Sequence, residues 1–157
     1  MLADEVGRLL RSRSLTIAVA ESCTGGRLGD LITDVPGSSD YFLGGIVSYS
    51  NAAKEGLLGV SPDVLRSKGA VSEEVAIQMA SGARSRLNSE IGVGITGIAG
   101  PSGGTAAKPV GLVHIAVSSS QATVCRRHVF AGSRAEVKQQ AAEKALEMVK
   151  DLLERHT

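Results

Sequence analysis

Tryptophan is absent, and aromatic residues make up only 3% of the 157 residues, with two Tyr and two Phe. A core must therefore be assembled from Ala, Val, Ile and Leu, and platforms on which bases could stack are scarce. Two cysteines, Cys23 and Cys125, are too few for a disulfide framework, so reduced thiols and a cytoplasmic setting are expected. No apolar run reaches the ~18–20 residues needed to span a bilayer. The first 14 residues contain no continuous apolar middle of the kind a secretory signal requires. No long basic run occurs and the net charge is +1, which argues against a nucleic-acid or membrane-surface partner. His114, His128 and His156 show no metal-ligand spacing, so neither a metal nor another cofactor is expected.

What is present suits an ordinary globular chain: 43% hydrophobic and 21% charged residues. At this length a single domain, residues 1–157, is expected, burying roughly 68–70% of the unfolded surface. Helical spacing of Val6, Leu9 and Leu10 predicts a helix over residues 3–13, and the β-branched run 15–20 reads as a buried strand. A second helix should follow the segment 21–26 and reach about residue 34, with a strand at 42–49 whose two glycines suggest close approach of another backbone. Helices are predicted at 51–58, after Ser61-Pro62, and at 73–87 behind Ser72. A third strand is read at 91–98, then a Gly/Pro-rich loop at 99–109, and two strands at 110–117 and 123–130 joined by a connection too short for a crossover. Ser133-Arg134-Ala135-Glu136 is a capping box opening the last helix. Alternation of this kind predicts an α/β protein, a three-layer α/β/α arrangement with a mixed, mostly parallel sheet of about five strands.

Four segments could carry chemistry. Ser22 follows a buried strand and precedes a helix, the corner where open α/β sheets bind ligands. Free N–H groups there, from Cys23, Thr24, Gly25 and Gly26, suit a phosphate or an oxyanion, and the serine could be a nucleophile. Ser22 or Thr24 would equally serve as a plain helix cap. Lys54, in the segment 48–54, would suit a serine nucleophile as proton acceptor if burial lowers its pKa, with Tyr49 as a proton relay; a solvated lysine is the alternative. The third segment is the glycine-rich run after the third strand, containing Thr96, Gly100, Gly103, Gly104 and Thr105, which could cradle a ligand or form a long surface turn. It is not a Walker A loop, because no Lys follows Gly104. Gly92-x-Gly94-x-x-Gly97 is rejected as a dinucleotide fingerprint, since the apolar run lies inside it and no helix opens after it. The fourth is a basic group of Arg126, Arg127, Arg134 and Lys138, whose arginine forks match phosphate but which would also suit a solvated edge. No His sits at the carboxyl end of a strand, which disfavours Ser-His-Asp catalysis.

Taken together, residues 20–26, 44–54, 69–72, 96–105 and 108–111 resemble the signatures of the CinA C-terminal, or nicotinamide-nucleotide amidase, family. The resemblance runs in order from about residue 3 to residue 155. It implies a three-layer α/β/α domain that hydrolyses the carboxamide of nicotinamide mononucleotide, giving nicotinate mononucleotide and ammonia. It implies catalytic positions at Ser22, Tyr49, Lys54 and Thr96, and a homo-oligomer. The older association of the family with competence and DNA damage keeps open a nucleotide-binding or interaction module without catalysis. Two departures stand out: the family's usual Gly-Asp-Arg is Gly132-Ser133-Arg134 here, and a following arginine is Lys138.

Overall fold

The computed structural model describes residues 1–155, so His156 lies outside the described residues. Five strands form one sheet: β1 (Ile17–Glu21), β2 (Phe42–Val47), β3 (Ile91–Gly97), β4 (Leu112–Ser118) and β5 (Thr123–Val129). Their spatial order is β2-β1-β3-β4-β5. β1 pairs parallel with β2 and β3, whereas β4 pairs antiparallel with β3 and β5. Four of the five strands therefore run in one direction; the reversed one is β4, antiparallel both to β3 and, across the expected 117–123 hairpin, to β5.

Helices cover both faces, giving the three layers expected. On one side lie α1 (Leu2–Ser12), α2 (Arg27–Thr33) and the long α6 (Arg134–Arg155); on the other lie α3 (Asn51–Leu58), α4 (Pro62–Lys68) and α5 (Glu73–Leu87). Alternation along the central strand β1 divides the core: Ile17 and Val19 join the cluster under α1, α2 and α6, and Ala18 and Ala20 join the one under α5. Each fully buried Val, Leu or Ile contributes roughly 1.5–3 kcal/mol. Serines start the α3–α5 run of helices, with Ser50, Ser61 and Ser72 each accepting the amide three residues on. The expected capping box of α6 forms in both directions, Ser133 N–H to Glu136 and Glu136 N–H to Ser133 Oγ.

The Gly-x-Gly pattern of β3 has a packing cause. A Cβ at Gly92 would overlap the carbonyl of Ala80, and one at Gly94 the carbonyl of Ala76. Both carbonyls belong to α5, so the glycines let that helix lie directly on the sheet. The two glycines of β2 differ from expectation. A Cβ at Gly45 would come 2.9 Å from Val19 Cγ2 and one at Gly44 would come 3.4 Å from Leu87, so side chains, not backbone, make the close approach. α2 begins at Arg27, right after Gly26 as expected, but its N-cap is Gly26, so neither Ser22 nor Thr24 serves as the plain helix cap.

Candidate active site

Because β1, β2 and β3 are parallel, the segments leaving their carboxyl ends meet at one edge of the sheet. They enclose a cavity of about 350 Å³ lined by Ser22, Tyr49, Lys54, Thr96, Gly100 and Arg134, among others. The volume falls in the range of ~300–1,000 Å³ usual for small-molecule pockets.

Ser22 is fixed by its own backbone, its N–H donating to the Ile95 carbonyl at 3.0 Å across the β1–β3 seam. Lys54 arrives from β2. Ser50 caps α3 by accepting the Ala53 amide at 3.0 Å, which starts the helix just beyond the strand and places Lys54 in its first turn. The side chain then points inward and is only 1% exposed. Its Nζ stands 3.0 Å from Ser22 Oγ, 3.0 Å from the Ser48 carbonyl and 3.4 Å from the Tyr49 carbonyl.

This geometry constrains the amine. The two carbonyls can only accept, so each takes an N–H. On an uncharged amine the remaining position is the lone pair, and it faces the Ser22 hydroxyl. Burial holds the Lys54 pKa below its ordinary value, with only a smaller opposing pull from Cys23. The arrangement is a serine hydroxyl hydrogen-bonded to a desolvated amine, the pairing that activates an oxygen nucleophile. Cys23 next door is unsuited to that role, because burial pushes its thiol up to about 12.

Other expected site residues take more specific places. Thr96 lines the cavity, but its hydroxyl donates to the Ala70 carbonyl at 2.8 Å, tying β3 to the loop before α5. Tyr49 is 63% exposed, and its hydroxyl accepts from Arg134 at 3.1 Å; only its backbone carbonyl reaches Lys54. Arg134 spans the cavity mouth, giving its other terminal nitrogen to the Gly100 carbonyl at 2.8 Å. Cys23, Gly100 and Gly103 line the cavity, whereas Thr24, Gly25, Gly26, Gly104 and Thr105 do not. The Gly25 amide donates to the Ser22 carbonyl, and the Gly26 amide to Glu21. Thr105 closes a turn on Lys108, its N–H donating to the Lys108 carbonyl and its Oγ1 accepting the Lys108 amide. Among the described residues, the amides of Cys23 and Thr24 on one side and of Ala99, Gly100, Ser102 and Gly103 on the other are among those without an acceptor.

Lys138 approaches the 22–26 turn, its Nζ 3.7 Å from where a Gly25 Cβ would stand. Arg126 and Arg127 lie exposed on the edge strand β5 and do not line the cavity.

Three contributors were not singled out from sequence. Ser48 supplies a carbonyl to Lys54, and Asn51 lines the cavity. Backbone acceptors carry no residue-type signal. Glu21 is the third: its buried carboxylate accepts the amides of Gly26, Leu28 and Gly29 at 3.3, 2.9 and 3.0 Å. An acidic residue standing before a glycine-rich turn and a helix is the signal that could have found it.

The CinA C-terminal domain model matches residues 1–153. The chain belongs to the CinA C-terminal domain family. A Moorella thermoacetica relative named for competence and damage induction is 53% identical over 145 residues, covering 92% of this chain and 35% of the relative. A CinA-like protein of Thermosynechococcus vestitus is 55% identical over 134 residues, 85% of this chain and 32% of the relative. The chain thus spans about a third of the length of the curated CinA relatives it matches. Solved CinA-type structures match it along nearly their whole length. A competence/damage inducible protein of Agrobacterium tumefaciens has a TM-score of 0.91 at 38% identity, covering 97% of this chain and 96% of that one. The competence damage-inducible protein A of Klebsiella pneumoniae has a TM-score of 0.96 at 32% identity, covering 99% and 97%.

Proposed function

We propose that this CinA-family chain hydrolyses the carboxamide of nicotinamide mononucleotide to nicotinate mononucleotide and ammonia. The observation that carries the reading is the 3.0 Å contact between the Ser22 hydroxyl and the buried amine of Lys54. In the first half-reaction Ser22 Oγ gives its proton to Lys54 Nζ and bonds to the carboxamide carbon. The tetrahedral intermediate then collapses, and ammonia leaves with the proton returned from Lys54. In the second half-reaction water, deprotonated by the same amine, attacks the acyl-enzyme and frees the carboxylate and Ser22. Proton transfer by a placed side chain is worth ~10²–10⁴-fold.

The Cys23 amide, beside the nucleophile and without a backbone acceptor, is the candidate oxyanion donor, a contribution of roughly 10²–10³ per donor. The Thr96 proton is committed to Ala70, so its hydroxyl offers the cavity lone pairs. That suits the N–H₂ of an amide better than a carboxylate oxygen. The open amides of Ala99, Gly100, Ser102 and Gly103, with Arg134 across the mouth, supply donors for the nucleotide's phosphate. A homo-oligomer and a cytoplasmic setting complete the proposal.

Ammonia release from nicotinamide mononucleotide tests it. The parent chain should turn over, and Ser22→Ala should keep its far-UV and near-UV spectra while losing at least 10³-fold in kcat, an amount on the order of losing an activated nucleophile. Undiminished turnover by that variant removes Ser22 from the reaction. Binding of the nucleotide by the parent without ammonia release would make the domain a binding module instead.

A further inference from the structure

Among the described residues Glu21 is the one charged side chain besides Lys54 that is buried to this degree, 2% exposed, and neither proposed half-reaction uses it. It has no cationic partner among the ion pairs of the described residues. Its carboxylate instead gathers three backbone amides, from Gly26 at the end of the turn and from Leu28 and Gly29 in the first turn of α2. The first turn of that helix, where an anionic ligand would ordinarily settle, is thus already filled by the chain itself.

The main chain of the same residue points elsewhere. The Glu21 carbonyl accepts the Ser48 amide at 2.8 Å, and the Ser48 carbonyl in turn holds the Lys54 amine at 3.0 Å. Ser22, the next residue, places its hydroxyl against the same amine at 3.0 Å. One residue therefore connects to both members of the reactive pair: by peptide bond to the nucleophile, and through one amide of Ser48 to the carbonyl that orients the base. The side chain closes residues 22–26 on themselves, with the Gly25 amide returned to the Ser22 carbonyl.

We propose that Glu21 is a positioning residue for the Ser22–Lys54 pair, its carboxylate clamping the 22–26 turn so that the Ser22 hydroxyl meets the amine's lone pair. This rests on the serine–lysine reading given above. A glutamine in its place offers one carbonyl and one amide N–H₂, and the latter meets backbone N–H groups donor to donor. The turn would then loosen around Ser22, while the Gly100–Gly103 wall stays as it is. A misplacement on the order of 1 Å in a reacting group costs ~10²-fold.

Glu21→Gln is the test, measured well below its melting temperature and normalised to folded protein. The expected result is a 10–100-fold fall in kcat with KM within about twofold, and a pH–rate profile whose plateau drops while its acid limb stays in place. The limb should stay because burial of Lys54, which Glu21 does not alter, sets it. A lower melting temperature with unchanged kcat would make Glu21 merely structural and overturn the proposal. An acid limb displaced with the plateau intact would also overturn it, since Glu21 would then act on the charge of Lys54 and not on the place of Ser22. Should the glutamine variant not fold, Glu21→Asp, which keeps the charge but shortens the reach by one carbon, is measured against the same outcomes.

A small serine-directed fluorophosphonate provides a readout independent of the natural substrate. If the parent releases no ammonia from nicotinamide mononucleotide but is labelled at Ser22, the substrate reading fails. The Glu21 proposal is then judged by a 10–100-fold slower labelling of Glu21→Gln. If the parent neither turns over nor is labelled, no activated serine exists and both fail.

Discussion

Replacing Lys54 by methionine removes the amine, keeps most of the volume, and separates two consequences of burying a base. For activity, the loss is that of proton transfer by a placed group, ~10²–10⁴-fold in kcat. For stability, two effects oppose. The variant leaves the Ser48 and Tyr49 carbonyls without the N–H groups they now accept at 3.0 and 3.4 Å, at about 1 kcal/mol for each bond. It also removes a group whose pKa burial depresses, and each unit of such depression corresponds to about 1.4 kcal/mol. The pH dependence fixes the sign. Between the folded pKa and the unfolded value of about 10.4 the unfolded chain holds a proton at Lys54 that the folded chain lacks, so parental stability rises with pH across that window. Below the folded pKa both forms are protonated, and the cost is constant and at its greatest. The parent should therefore gain on Lys54→Met as pH climbs from 7 to 10, and the difference between them should become level only near lysine's ordinary value. Urea denaturation of both proteins at pH 7, 8, 9 and 10, beside ammonia release at each pH, measures this. A stability difference that does not vary over that range, or a variant retaining more than a tenth of parental kcat, would refute the reasoning.

Tyr49→Phe removes only the phenol that accepts from Arg134, so kcat should stay within about threefold and KM should bear any change; a fall beyond 10²-fold would return the phenol to the proton path. Gly94→Ala should destabilise by roughly 1–3 kcal/mol or more in urea, because its Cβ would overlap the Ala76 carbonyl of α5. A change under 0.5 kcal/mol there would show that α5 can withdraw from the sheet at little cost.

Much of the fold was legible from short-range patterns. Helix α3 spans 51–58 as expected, and the α6 capping box forms as expected. α2 starts after Gly26 as the sequence suggests, but Ser22 and Thr24, which look like caps, do not cap it: Gly25 and Gly26 adopt positive φ and Glu21 caps the helix from behind. The sequence suggests a close backbone approach at the glycines of β2, where side chains of Val19 and Leu87 stand instead; at β3, where α5 does lie on Gly92 and Gly94, only the tertiary structure shows it. At the site, Ser22 and Lys54 were identifiable as residues, and the resemblance to CinA signatures brought them together. Their distance, the commitment of the Thr96 and Tyr49 hydroxyls to Ala70 and Arg134, and the withdrawal of Gly104 and Thr105 into a separate turn depend on backbone acceptors. Residue identity does not encode these.

Ser22 and Lys54 follow the ends of two neighbouring strands, and the second of these, β2, lies at the border of the sheet. Sliding β2 along β1 by one residue would displace Lys54 by about 3.3 Å, more than a hydrogen bond can stretch. The Ser22–Lys54 contact therefore depends on the seating of the border strand. During renaturation, recovery of catalysis should coincide with the zipping of β2 onto β1, however early the helices and the central strands have assembled.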